Sequence, residues 1–175
     1  ISRGLVGSEM CIRDSIKVVI ITGAGRGFSA GADLSERNSS WRGSKDALLR
    51  GYKPFFESIV NMPKPVIGAI AGPAAGIGAA IAMSCDLRVM SDDSYILSVF
   101  SNIALVPDGG LSWYLPKFMG FAKAYEHAIE AKKISAEDCL KYGIANKVVT
   151  RDELERVTLE WAHKLSKRSS QSLNH

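Results

Sequence analysis

The sequence predicts an α/β fold with a mainly parallel sheet. Three observations carry this. Short β-branched runs end at glycine-rich turns, as in strands buried on both faces. Segments with a 3.6-residue apolar period separate those runs. The two patterns alternate along the chain. Composition agrees: the 175 residues are 46% hydrophobic and 23% charged, enough for a core and too apolar for disorder.

Residues 1–15 are set apart first. ISRGLVGSEMCIRDS has no periodic apolar pattern, does not begin with Met, and lacks the apolar centre of a signal peptide. RGLVGSEMCIRD resembles a translated sequencing-adapter remnant, so the segment is treated as non-native. Lys17 to Thr22 then reads as a buried strand and Gly23 to Gly31 as a glycine-rich loop. Across 44–60, Leu48, Tyr52, Phe55, Phe56 and Ile59 fall at helical spacing, and Met62-Pro-Lys-Pro65 stops that helix. Pro65 to Ile70 reads as a second buried strand, Gly72 to Gly78 as a turn, and Ala79 to Ser84 as a small-residue helix suited to close packing. Leu87–Met90 and Tyr95–Leu97 read as short strands. Pro107-Asp-Gly-Gly110 opens a helix containing Trp113, Tyr114 and Leu115, and 121–131 forms another. Ser135-Ala-Glu-Asp138 starts a helix that Gly143 stops, and 144–149 is extended. Leu154, Val157, Trp161 and Leu165 give 151–167 one apolar helical face.

The charge is mild and dispersed. Lys and Arg number 22 against 18 Asp and Glu, a net +4 that omitting residues 1–15 leaves unchanged. No basic block marks a nucleic-acid surface. No apolar run reaches the roughly 18–20 residues that span a bilayer. Cys11, Cys85 and Cys139 have no CxxC spacing, which argues against a disulfide framework or a zinc site and for a reducing intracellular compartment.

Two glycine motifs invite three chemistries. A dinucleotide site needs GxGxxG, but after Gly23 and Gly25 the third glycine would fall at Phe28. Gly72-xxx-Gly76-x-Gly78 is nearer to a short-chain dehydrogenase turn. That family needs Tyr-xxx-Lys, whereas Tyr114 and Lys117 are three apart and Leu115-Pro116 is expected to break the helix. Gly27-Phe-Ser29-Ala-Gly31 fits GxSxG, but the preceding strand ends five residues too early for a nucleophile elbow, and His127, His163 and His175 lie on helix faces or at the terminus. The third reading takes both loops together. Unpaired backbone amides from two such turns can converge on one oxygen, and each donor to an oxyanion is worth about 2.7–4 kcal/mol.

VVIITGAGRGFSAGADL, PKPVIGAIAGPAAGIGAAIAMSCDLRVMS, LVPDGG and ISAEDCLKYGIANKVV, in this order, closely resemble the enoyl-CoA hydratase/isomerase (crotonase) superfamily over roughly residues 16–165. The resemblance implies a repeated ββα spiral of two near-perpendicular sheets. It places the spiral core at 16–150 and the start of a C-terminal helical region at 151–175, with both ends truncated. Such a piece is expected to fold poorly or self-associate alone. The resemblance implies an acyl-CoA substrate, neither metal nor redox cofactor, and a homotrimer or a hexamer when full length. Coenzyme A arrives as part of the substrate.

Residue by residue, the resemblance assigns the oxyanion amides to Ala32 and Ile77. Phe28, Ser29, Ala30, Gly31, Asp33, Leu34, Ala75, Gly76 and Phe100 are assigned to the substrate groove. Ile77 departs from the family's Gly-Gly-Gly turn; its amide survives, but its branched side chain is expected to crowd the thioester. Hydratases of the family carry glutamates where this chain has Ala80 and Phe100, so ordinary hydration is disfavoured. Asp108 matches the aspartate of isomerase-type members; its alternative role is a turn or N-cap residue. Phe100, Ile103, Leu105 and Trp113 are expected to give it an apolar pocket. The favoured activity is Δ3–Δ2 enoyl-CoA isomerisation, with an unusual hydratase and a silent acyl-CoA-binding paralogue as alternatives.

Overall fold

The computed structural model describes residues 16–33 and 43–169. The non-native reading of 1–15, the site residue Leu34 and the terminal His175 lie outside the described residues. In chain order the elements are β1 (Val19–Thr22), α1 (Ser44–Ala47), a π-helical turn (Leu48–Tyr52), α2 (Lys53–Val60), β2 (Val66–Ile70), β3 (Pro73–Ala75) and α3 (Ile77–Ser84). They continue with β4 (Leu87–Ser91), β5 (Tyr95–Leu97), a 3-10 turn (Phe100–Ile103), α4 (Leu111–Met119), α5 (Phe121–Ile129), β6 (Lys133–Ser135), α6 (Ala136–Lys141), β7 (Lys147–Val149), a 3-10 turn (Arg151–Glu153) and α7 (Leu154–Ser166).

The strands form two sheets. One is wholly parallel, in the order β1-β2-β4-β7; the other is β3-β5-β6, parallel between β3 and β5 and antiparallel between β5 and β6. The chain steps from the first sheet to the second twice, across Ala71-Gly72 and across residues 92–94. Every residue of β2 is buried because both faces are covered. Ile67, Ala69 and Val89 meet Leu154, Val157, Trp161 and Leu165 of α7, the face its periodicity predicts. Ile70 and Met90 join the main core with α3.

All eight residues of α3 are buried, so this helix is the hub of the molecule. Its alanines and the facing Gly68, where an added Cβ would lie 3.2 Å from Cys85 Sγ, permit the close approach. Its C-terminal carbonyls are satisfied by the buried Arg88, which donates to Ala82 O (3.5 Å), Met83 O (3.2 Å), Cys85 O and, beyond the helix, Ile144 O. The guanidinium also lies 5.4 Å from the Phe118 ring centre, and burial lowers its pKa. Asp86 has a structural role, accepting from Val66 N at 2.8 Å.

Three expectations are corrected, and one strand, β6, was not anticipated. The 44–60 helix is not one regular helix: Pro54 has no N–H to return to Arg50 O, and Lys53 N reaches back five residues to Leu48 O, widening the turn. Pro116 does not break α4, which continues to Met119; the carbonyl it deprives belongs to the exposed Ser112. Pro73–Ala75 is a strand within the expected turn, because its backbone pairs with β5. Lys133–Ser135 pairs with β5 from the other side. By contrast, Ser135 caps α6 as expected, its Oγ accepting from Asp138 N at 3.1 Å, and Gly143 turns the chain at φ +74°.

Candidate active site

Both glycine-rich loops leave the parallel sheet and run side by side. Phe28 N and Ser29 N donate to Pro73 O (3.0 and 3.1 Å), and Ala75 N donates to Ser29 O (2.9 Å), a short parallel ladder centred on Ser29 and Ala74. Gly78 lets them touch: a Cβ there would sit 2.6 Å from Ser29 Cβ, O and Oγ. Gly76 adopts φ 55°, ψ −126°, a conformation open to glycine, and its own N–H is tied to Leu97 O at 3.0 Å. The chain then enters α3 with Ile77 as its first residue, so the Ile77 amide has no intrahelical acceptor. Across the gap, Gly31 N donates to Ser29 Oγ (3.3 Å), and a Cβ on Gly31 would lie 3.7 Å from Ile77 N. The residue preceding Ala32 therefore stands within contact range of the Ile77 amide.

The assigned groove residues differ in exposure. Phe28 is buried, Ser29, Gly31 and Ala75 are half-buried, and Ala30, Ala32 and Asp33 are exposed. Gly76 and Ile77 are buried, and Phe100 lies in the main core. Contrary to expectation, the Ile77 side chain is only 5% exposed; it fills the core, with Cδ1 beneath the Asp108-Gly109 turn.

Gly109 packs that turn onto the head of α3. A Cβ at Gly109 would meet Ala80 Cβ at 2.6 Å and Ile77 Cδ1 and Phe56 Cζ at 3.0 Å. Asp108 closes the turn with its main chain, Leu111 N donating to its carbonyl at 3.0 Å. Its carboxylate does not cap α4, whose N-cap is Gly110 without a side-chain bond. Asp108 Oδ1 is buried and has no hydrogen-bond partner, and this burial raises the carboxyl pKa above its ordinary value. The apolar surroundings are not those expected. Phe100 is buried, but Ile103, Leu105 and Trp113 are exposed, and the groups under the turn are Ile77, Ala80 and Phe56.

Beside the turn lies a cleft of about 450 Å³, walled by the π-helical turn and α2 on one side and the start of α4 on the other. Leu48, Tyr52, Phe56, Trp113 and Tyr114 make it apolar. Sequence reasoning gave the 44–60 segment only a packing role; the signal was its aromatic content at i, i+4 spacing. Among the described residues no three His, Cys, Asp or Glu side chains gather as a metal site, and no helix is long and apolar enough to cross a membrane. Cys85 and Cys139 are free and buried, and burial pushes both thiols up to about 12, so neither is a nucleophile at neutral pH.

Two glycine-rich loops running side by side off a parallel sheet, next to a turn that bears a carboxylate, define the class of α/β fold. The chain belongs to the enoyl-CoA hydratase/isomerase family, whose pattern matches residues 9–175. It is 36% identical over 157 residues to the 1,2-epoxyphenylacetyl-CoA isomerase of Escherichia coli (strain K12), covering 87% of this chain and 60% of that protein. It is 36% identical over 153 residues to the short-chain-enoyl-CoA hydratase of Clostridium acetobutylicum, covering 86% of this chain and 58% of that protein. The fold matches the crystal structure of an enoyl-CoA hydratase from Bacillus anthracis with a TM-score of 0.87 at 30% identity, over 94% of this chain and 64% of that one. The chain thus spans about three fifths of the length of these relatives.

Proposed function

We propose that the protein acts on acyl-CoA thioesters as a Δ3–Δ2 enoyl-CoA isomerase. The thioester carbonyl oxygen accepts from Ala32 N and Ile77 N. Asp108 takes a proton from C2, the electron pair passes into the carbonyl to give an enolate held by the two amides, and the same carboxylic acid returns the proton at C4. The 3,4 double bond becomes a 2,3 double bond with no net gain or loss of atoms. The observation that carries this reading is the buried, unpartnered Asp108 Oδ1 on a turn seated over Ile77. A desolvated carboxylate with a raised pKa is a stronger base than one in water. Ala80 and Phe100 bear no carboxylate to activate water, which favours isomerisation over hydration. The same two residues support the second reading, a paralogue that binds acyl-CoA without turnover. A homotrimeric or hexameric assembly is proposed with it, supported by the exposed stripe of Phe121, Tyr125 and Ile129 on α5.

The test is the conversion of 3-hexenoyl-CoA by full-length wild type and Asp108→Asn. The isomerase reading expects kcat to fall at least about 100-fold with octanoyl-CoA binding retained. Equal activity removes Asp108 from the mechanism, and binding without turnover in either protein favours the silent paralogue. The pH dependence is fixed in sign. Wild-type kcat rises with pH through a limb above the ordinary carboxylate value of about 3.9. Because the folded state holds this proton more tightly than the unfolded chain, its contribution to stability is full below that ordinary value and is lost as pH rises through the raised one. Asp108→Asn removes that loss, so the Tm difference between variant and wild type grows in the variant's favour from pH 4 to pH 8.

A further inference from the structure

Five residues distant from the proposed chemistry are linked into one connected network where the two glycine loops first meet. Gly72 N donates to the buried Ser91 Oγ at 3.3 Å, and Ser91 Oγ donates to Asp93 Oδ1 at 2.6 Å. Arg151 Nε and Nη2 both donate to Asp93 Oδ2, at 2.9 and 2.7 Å, and Nη2 also donates to Arg26 O at 3.3 Å. Arg151 therefore joins the first loop, through Arg26, to the second loop, through Asp93, Ser91 and Gly72. The fit is close: a Cβ on Gly72 would fall 2.4 Å from Arg26 O and 3.0 Å from Arg151 Nη2. Beyond this point the loops run together through the Ser29–Ala74 ladder, and they end at Ala32 and Ile77.

We infer that Arg151 is a positioning residue that fixes the register of the two loops and so the separation of the Ala32 and Ile77 amides. The inference rests on the two-amide reading of the site. The geometry is specific to arginine. Its planar fork satisfies a carboxylate and a carbonyl together, whereas a lysine ammonium in the same place reaches them from one point. Asp93 is a partner suited to this, since the Ser91 hydroxyl and the Arg151 guanidinium hold its carboxyl below the usual range and keep it charged. The interaction lies near the surface, so its effect on global stability is small. Its effect on amide geometry is larger, because both loops extend from it.

The experiment compares full-length wild type, Arg151→Gln, Arg151→Lys and Asp93→Asn. Hydrogen exchange is followed over 27–33 and 71–78, and kcat and KM are measured with 3-hexenoyl-CoA. Arg151→Gln is expected to speed exchange in both stretches and to lower kcat about tenfold with KM within about twofold, since misplaced donors cost the transition state more than the bound substrate. Arg151→Lys should recover part of the kcat, and Asp93→Asn should match Arg151→Gln; these two carry the test if the glutamine variant does not fold. Unchanged exchange in both stretches overturns the assignment, as does faster exchange with kcat within about twofold of wild type. If the wild-type protein turns over no CoA thioester, it is the amide-pair reading that fails, and exchange alone then decides whether Arg151 holds the loops.

Discussion

The loop after β2 is buried through Gly72, Ala74, Gly76 and Ile77, whereas the loop after β1 exposes Ala24, Gly25, Arg26, Ala30 and Ala32. Both carry an amide proposed to face the same oxygen. The second loop is fixed by the core itself: it leads into α3, every residue of which is buried, and moving it would disturb the whole hub. The first loop has almost no core of its own. Phe28 is its one buried residue, and its place is set by hydrogen bonds to Pro73 O, to Ala75 N and, through Arg151, at Arg26 O. A site of this kind is as rigid as its less buried half. The contacts between the loops therefore matter more to the chemistry than the burial of either one.

Substitutions at the seam and at its two sides sharpen that contrast, taken here in order of expected effect on turnover. Gly78→Ala acts on the seam. Its Cβ would lie 2.6 Å from Ser29 Cβ and O, so the first loop must move away. A loss of about 100-fold in kcat and about 1–3 kcal/mol in stability is expected, checked by steady-state kinetics and urea denaturation. Ile77→Gly acts on the buried loop. It keeps the amide but removes a side chain that is 5% exposed and packed under Gly109. It should cost about 2–5 kcal/mol while kcat in the folded fraction stays within about tenfold of wild type. A larger kcat loss at full folding would show that the Asp108 turn depends on the Ile77 side chain. Gly25→Ala acts on the exposed loop. Its φ of +87° makes alanine strained, but nothing lies within 4 Å of the new Cβ. About 1–2 kcal/mol of stability should be lost with kcat unchanged, and a drop in kcat would mean that strain travels along the first loop to Ala32.

Much of the fold was legible because local rules and burial agreed. β1, β2 and β5 are β-branched or wholly apolar runs too short for an amphipathic helix, β4 is apolar apart from Arg88 and Ser91, and the α7 face follows from four residues at helical spacing. The Ser135 cap is a local motif that needs no tertiary support. Reading failed where the deciding partner is remote. β3 and β6 are three residues each and exist only because β5 lies between them. The continuation of α4 through Pro116 depends on Ser112 facing solvent, which no local pattern shows. Within the candidate site, the two glycine-rich loops and the turn at Asp108 were legible as turns from their motifs. The groups beneath the Asp108 turn were not, because Ile77, Ala80 and Phe56 come from three separate elements.

By itself the sequence determined where the backbone can turn sharply: glycines at 31 and 76 permit turns closed to other residues, and that is a property of single positions. It also determined that Ala80 and Phe100 cannot carry protons. Only the tertiary structure decided that Asp108 Oδ1 is buried without a partner, that Ile77 fills the core, and that Arg151 reaches across 125 residues to Arg26. The physical reason is that desolvation and distance belong to pairs of groups far apart in the chain, and only packing fixes which groups meet.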